Sequence, residues 1–210
     1  KLEFEGEYLN GKKNGKGKEY FNGQLIFEGE YKKGIKEKGK EYYNGKVTFE
    51  GEYINEMKNG KFKEYYKNGK LKFEGEYYYG KKWNGKLYDL HKNVYEIKDG
   101  KGFIKEYNHS DYKIEYEGEI LNGVAHGKGK GYYNGKLIYD GEYSYGKRNG
   151  KGKTYHKGKL SFEGEYFNGF RNGAGREYKN DKIIFEGEYS NGERIGYGKE
   201  YYDNGKLKFE

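Results

Sequence analysis

Cysteine and proline are both absent from the 210 residues, Met and Trp occur once each, and Ala occurs only at positions 125 and 174. Without Cys the chain has no disulfide, thiolate zinc site or thiol nucleophile. Without Pro, every turn has to be made by another residue type. No apolar run approaches the ~18 residues that a membrane-spanning helix needs, and no charged-then-apolar leader opens the chain. The first residue is Lys, not Met, which fits a processed or excised segment, so any leader would lie outside it. Charge of neither sign gathers into blocks. Lys+Arg 42 against Asp+Glu 34 leaves +8 with the two signs interleaved, so there is no basic arm of the kind that binds nucleic acid nonspecifically, and nucleic acid is not an expected partner.

What is abundant is glycine and ring. Gly numbers 37, Tyr 28 and Phe 12, whereas Leu, Ile and Val together are far fewer. Gly costs about 1 kcal/mol at a helix-interior position, and Tyr and Phe favour pleated surfaces. That composition predicts many short strands punctuated by glycine turns.

Self-comparison organises the whole chain. Phe-Glu-Gly-Glu-Tyr begins at Phe4, Phe27, Phe49, Phe73, Phe162 and Phe185, with variants at Tyr116 (ending in Ile120) and Tyr139 (carrying Asp140), a degenerate copy at Tyr95, and Phe209-Glu210 opening another. The intervals run from 21 to 24 residues. Within a unit, Phe4, Gly6 and Tyr8 alternate with Glu5 and Glu7, a period-2 strand with two distinct faces. The stretch Asn10–Asn14 reads as a glycine loop, and a second strand is expected from about Gly15 to Phe21. Asn22-Gly23 then reads as a type I′ hairpin turn, because both central positions need φ > 0. Lys67-Asn68-Gly69 and Asp203-Asn204-Gly205 carry one more residue and match a three-residue loop with a left-handed Gly.

These residues resemble the MORN (membrane occupation and recognition nexus) repeat: aromatic-x-Gly-x-aromatic, a glycine loop, then Gly-x-Gly. The best copies run from Phe4 to Gly17 and from Tyr139 to Gly152. The departures are Asn14 and Asn149 where His is common (His126 keeps it), one Gly lost at Leu87 and one at Phe62, and an irregular centre over 80–116. The resemblance implies an all-β fold, an elongated antiparallel meander of consecutive hairpin repeats forming a single-layer twisted ribbon, as one array of about nine units over 1–210. At ~4.8 Å per strand it would be on the order of 85 Å long. Physical reasoning points the same way: Phe and Tyr rings can lie across the bare glycine backbone of the next hairpin, so the array is held by nearest-neighbour contacts.

No catalytic constellation stands out, so the chain reads as a non-enzyme without metal or cofactor. His91, His109, His126 and His156 fall in different repeats without partner patterns, and the glutamates sit at repeat-equivalent positions. Gly152-Lys153-Thr154 ends like a phosphate loop, but the required first Gly falls on Lys147; Tyr20 stands where a dinucleotide fingerprint wants its third Gly. Asn108-His109-Ser110 is a lone glycosylation sequon. The cations Lys12, Lys13, Lys81, Lys82, Lys147, Arg148 and Arg171 recur at the glycine loop. They either solvate the loop tips or form a row for acidic phospholipids. Trp83 either fills an altered loop or anchors a partner; short repeats should draw the sheet into a concavity lined by Trp83, Tyr88, Tyr95 and Phe103. The function expected is a noncatalytic scaffold that docks protein partners along an aromatic groove and self-associates, the uncapped repeats favouring assembly. The alternative is a peripheral module on acidic phospholipid membranes. The resemblance favours a cytoplasmic, cytoskeletal or membrane-associated setting.

Overall fold

The computed structural model describes residues 1–108 and 111–210. His109 and the sequon it belongs to therefore fall outside the described residues. Among the described residues all regular structure is β: nineteen strands from Phe4–Leu9 to Leu207–Phe209. The strands gather into two compact units, Lys1–Gly102 with 111–112, and Phe103–Asn108 with Lys113–Glu210. In the first, consecutive strands from Phe4–Leu9 to Val94–Lys98 pair antiparallel; in the second, so do those from Ile114–Leu121 to Leu207–Phe209. Each unit is thus an antiparallel meander of hairpins, as the repeat implies.

The turns follow the backbone rule that the Asn-Gly pairs suggest. Asn22 and Gly23 have φ of 51° and 82°, the mirror-image turn that matches the strand twist. Where the turn is one residue longer, Gly69 and Gly205 take the left-handed position at 84° and 82°. The segment after Asn10, however, is no loop. Asn10-Gly11 is itself a two-residue turn with both φ positive, and the next strand already starts at Lys12. The extra length is absorbed by a β-bulge, where the register steps from Gly6↔Gly17 to Tyr8↔Lys13. Gly15 sits in the bulge at φ 77° with Glu7 packed where a Cβ would project, and Glu7 accepts the Lys16 N–H at 3.1 Å.

One face of each unit carries the rings. The glycines of successive strands oppose each other across the sheet: Gly6↔Gly17, Gly17↔Gly29, Gly29↔Gly39 and Gly39↔Gly51 in the first unit, and Gly118 through Gly198 in the second. A Cβ at Gly17 would collide with Phe4, one at Gly39 with Phe27, one at Gly152 with Tyr139 and one at Gly175 with Phe162. The rings lie flat on this strip and interlock edge to face: Phe4–Tyr31 at 5.5 Å, Phe27–Tyr53 at 5.9 Å, Tyr139–Tyr166 at 5.3 Å, Phe162–Tyr189 at 5.2 Å. Phe27, Phe49, Phe73, Tyr139 and Phe162 are at most 1% exposed. Burying one such ring is worth ~1.5–3 kcal/mol and each edge-to-face pair a further ~0.5–1.5, so two single-sheet units have a core without a second layer.

Cations close that core from above. Lys13 lies over Phe4 at 4.6 Å, Lys36 over Phe27 at 4.2 Å, Lys58 over Phe49 at 3.8 Å, Arg171 over Phe162 at 4.3 Å and Arg194 over Phe185 at 4.1 Å. Each is anchored by a carboxylate of its own strand or of the strand two before it. Glu19 takes Lys13 at 2.6 Å and Lys36 at 2.8 Å; Glu177 takes Arg194 at 2.8 Å, Arg171 at 3.1 Å and the Tyr189 hydroxyl at 2.8 Å. In these repeats ring, cation, carboxylate and phenol therefore form one network.

The irregular centre breaks the pattern locally. Phe62 stands in the glycine strip between Gly51 and Gly75 and stacks on Phe49 and Phe73. Leu87, by contrast, marks no missing glycine. Gly85 keeps the strip, opposite Gly75, and Leu87 occupies the place that Glu19 holds elsewhere, fully buried. The hairpin there has one residue fewer because its register steps by one residue, from Glu76↔Asn84 to Tyr77↔Lys82, where the first hairpin's steps by two, which shifts the count. A loop around the buried Asp89 replaces the next Asn-Gly turn, with Asp89 accepting from the N–H groups of His91 and Asn93 at 2.8 Å.

Two consequences can be measured. Gly175 has an ordinary strand backbone, so Gly175→Ala tests only the ring contact. It should lower stability by about 1–3 kcal/mol, read from the urea midpoint. The second concerns pH. Burial disfavours the charged form of Glu64, but Lys82, the Tyr77 hydroxyl and Lys72 outweigh it and hold the carboxyl below the usual 4.5; Glu19 and Glu177 behave alike through Lys13 with Lys36, and through Arg194 with Tyr189. Burial above all pushes Tyr143 up to about 12, and raises Tyr31, Tyr53 and Tyr189 further above 10.0 with help from Glu19, Glu41 and Glu177. The carboxylate contribution is present above pH 4.5 and fades as pH falls below it, while the phenol contribution is present below pH 10 and fades as pH rises beyond it. Unfolding midpoints should form a plateau between these limits and drop at both ends.

Candidate functional site

Closing the ring face leaves the opposite face of each sheet as its accessible relief. Side chains alternate along a strand, so the residues flanking each strip glycine project there, and the strip itself offers only backbone. In the first unit this makes a groove of about 1430 Å³ over Gly17, Gly29, Gly39, Gly51, Gly75 and Gly85. The second unit has the same relief in two stretches, over Gly152 and Gly164 and over Gly175, Gly187 and Gly198.

The walls are rails of alternating charge. One runs Glu5, Lys18, Glu28, Lys40, Glu50, Lys63, Glu74, Lys86, each residue directly opposite the next across the strands. Its counterpart in the second unit runs Glu117, Lys130, Asp140, Lys153, Glu163, Arg176, Glu186, Lys199. The other wall of the first groove carries Lys16, Glu30, Lys38, Glu52, Lys61 and Glu76. Ion pairs along the rails are loose or exposed, with Lys18–Glu28 and Lys40–Glu50 both at 3.5 Å, and such pairs are worth ~0.2–1 kcal/mol each. They can exchange partners at little cost. The acidic members are steadied by a row of tyrosines invisible to motif reading: Tyr20 donates to Glu5 at 3.1 Å, Tyr42 to Glu28 at 3.1 Å, Tyr88 to Glu74 at 2.5 Å and Tyr201 to Glu186 at 2.6 Å. The repeated Glu-Tyr dipeptide, as at 19–20, 41–42 and 200–201, is the sequence trace of this split, since Glu19 faces the rings and Tyr20 the groove.

The residues singled out from sequence are dispersed. Trp83 sits at a turn edge against Tyr78, ring centres 5.3 Å apart, and Tyr78 in turn meets Tyr79 at 4.6 Å. Tyr88 is on the groove face, Tyr95 donates to Asp89 at 3.2 Å, and Phe103 is exposed in the second unit. Trp83, Tyr88 and Tyr95 do not converge on one concavity, and none of the four lines either groove. The expected aromatic docking groove is likewise a closed core, because the rings that would line it are spent on glycine backbone. Of the basic set, Lys12, Lys81 and Lys147 are exposed beside turns, whereas Lys13, Lys82, Arg148 and Arg171 are strand residues turned onto ring faces. Among the described residues no cluster of His, Asp and Glu is arranged to hold a metal ion.

Trp83, half-buried at this turn edge, makes a simple test. Trp83→Ala should leave the far-UV circular dichroism and the unfolding midpoint close to those of the parent, because repeats stack on their own neighbours; a collapse of the sheet signal would make Trp83 part of the core.

The family model of the MORN repeat matches residues 4–24, 116–135, 139–158, 162–182 and 185–206. Each matched stretch contains a bulge glycine two residues before a strip glycine: Gly15 and Gly17, Gly127 and Gly129, Gly150 and Gly152, Gly173 and Gly175, Gly196 and Gly198. The intervening hairpins have another residue at the bulge glycine's place, as Glu37 before Gly39 and Trp83 before Gly85, or carry Phe62 in the strip. Comparison with curated proteins gives no match.

Proposed function

Because the chain belongs to the MORN repeat family, whose repeats serve as modules for protein or membrane interaction, we propose that it is a noncatalytic scaffold that docks protein partners in its glycine-floored grooves. The observation that carries this reading is the strip of bare backbone between rails of alternating charge, present in both units. A strip without side chains admits close approach, and weak rail pairs can re-pair with a partner's charges. Like charges recur along a rail every second strand, ~9.6 Å, so the partner chemistry that fits is alternating, not uniformly acidic or basic. A second alternating rail displaced by one strand satisfies the same rule, so another copy of the chain is among the partners that fit.

Fluorescence anisotropy with synthetic peptides tests the groove. A labelled peptide with Glu and Lys alternating at matching spacing should bind at least tenfold more tightly than one with the same residues in two blocks. The triple variant Lys18→Glu, Lys40→Glu, Lys63→Glu should lose that preference with its circular dichroism unchanged. Equal binding of both peptides to the parent would sink the reading. Sedimentation across a concentration series checks self-association independently.

A second reading is favoured by one surface feature. Lys12, Lys81 and Lys147 are exposed next to the exposed apolar residues Leu9, Tyr78, Tyr79 and Tyr145, a combination suited to an anionic membrane surface. Flotation with liposomes containing or lacking anionic lipid, at low and high salt, separates it from the groove reading; recovery that ignores lipid charge removes it.

A further inference from the structure

On the ring face of the second unit, one repeat is open where its equivalents are closed. In the first hairpin the ring network consists of Phe4, Tyr8, Lys13, Glu19 and Tyr31. The same positions around Tyr116 are Tyr116, Ile120, Ala125, Gly131 and Tyr143, as the register shows: Ile120↔Ala125 matches Tyr8↔Lys13, and Gly131↔Tyr139 matches Glu19↔Phe27. Three of the five side chains are cut back together. The ring geometry survives, with Tyr116–Tyr143 at 5.5 Å against 5.5 Å for Phe4–Tyr31. In place of the missing groups lies a cavity of about 630 Å³, walled by Ile104, Tyr116, Ile120, Ala125, Gly131 and Tyr143, with Arg148 at its border. That size suits a small organic ligand or a buried side chain.

Two donors are left over at the Gly131 corner. In the regular repeats the carboxylate at this place collects the next repeat's phenol and cation, as Glu177 collects Tyr189 and Arg194, and Glu41 collects Tyr53 at 2.8 Å and Lys58 at 3.0 Å. Here the corresponding pair is Tyr143 and Arg148. The Tyr143 hydroxyl lies over Gly131, at the place a Cβ would occupy, and makes no hydrogen bond among the described residues. Arg148 lies over Tyr139 at 4.8 Å, half-buried, with no ion pair among the described residues. The carboxylate of its own strand is missing as well, since Thr154 stands there. An unpaired guanidinium beside an unpaired phenol in a partly dry site is a strong acceptor-binding corner. The cavity's two carboxylates belong to the neighbouring strands: Glu115 accepts from Asn108 at 2.7 Å, and Glu106 acts on Tyr116.

We propose that this cavity binds an organic carboxylate carried on an apolar stem, the carboxylate taking the place of the missing glutamate between Tyr143 and Arg148 and the stem packing on Tyr116, Ile104 and Ile120. The carboxylate comes either from a free small acid or from a Glu side chain of a partner protein.

NMR titration of the full chain tests this, following the Tyr116 and Tyr143 ring signals with three probes: 4-phenylbutyrate, its alcohol analogue 4-phenylbutanol, and the peptide acetyl-Phe-Glu-Leu-amide. At least one carboxylate probe should shift both rings, and 4-phenylbutyrate, if it binds, should bind at least tenfold more tightly than the alcohol. Binding of the peptide alone assigns the carboxylate to a protein partner; binding of 4-phenylbutyrate assigns it to a small acid. Gly131→Glu, which the backbone permits because Gly131 has an ordinary strand conformation, should supply the carboxylate internally, abolish binding and raise the unfolding midpoint. Arg148→Gln removes the cation without filling the cavity and should weaken binding at least tenfold, so the test stands even if Gly131→Glu fails to fold. No shift with either carboxylate, equal binding of acid and alcohol, or undiminished binding by Arg148→Gln would overturn the proposal.

Discussion

The contact between an aromatic ring and a bare glycine backbone governs this structure. A Phe or Tyr ring laid flat across a neighbouring strand buries nearly all of its apolar surface only if no Cβ stands there, and the Gly17, Gly39, Gly152 and Gly175 positions meet that condition. A single sheet thereby acquires a core that would otherwise require a second sheet or a layer of helices. The repeat length follows from the same contact, because ring and glycine belong to adjacent strands and must be brought opposite each other at every turn.

The two faces then diverge in role. On the ring side, Lys or Arg over the ring and a carboxylate behind it seal the core from water, and the phenols of the next repeat join the same acid. On the other side the glycine strip is bare, and the residues next to it can only be solvated, which accounts for the alternating Glu and Lys rails. One glycine row thus sets both the packing on one surface and the groove on the other. The match of the family pattern to hairpins with both bulge and strip glycines has the same origin, since the bulge sets how far the second strand runs before it meets the ring.

Where the network is incomplete, the vacancies have chemical character. Leu87 and Phe62 close their gaps with apolar bulk, both buried. Around Tyr116 the lost groups are a tyrosine, a cation and an acid, and nothing apolar of comparable size replaces them. The remaining phenol and guanidinium keep the orientation of a network whose acceptor is absent.

Strand rhythm, turn positions and the ring-on-glycine core were legible in the sequence, because each depends on residues within one 23-residue period and on backbone rules for Asn-Gly pairs. The facing of individual side chains was not. Lys12 and Lys13 read alike as loop cations, yet the strand begins at Lys12, so Lys13 turns inward over Phe4 while Lys12 stays in water. Leu87 reads as a lost glycine, but a bulge shorter by one residue shifts the count and places it at the acid's position. A one-residue bulge reverses the face of every residue beyond it, and composition carries no mark of that reversal. The closing of the aromatic row, the groove on the opposite face and the meeting of Tyr143 with Arg148 at Gly131 all depend on register across strands, and so were decided only when the sheet was assembled.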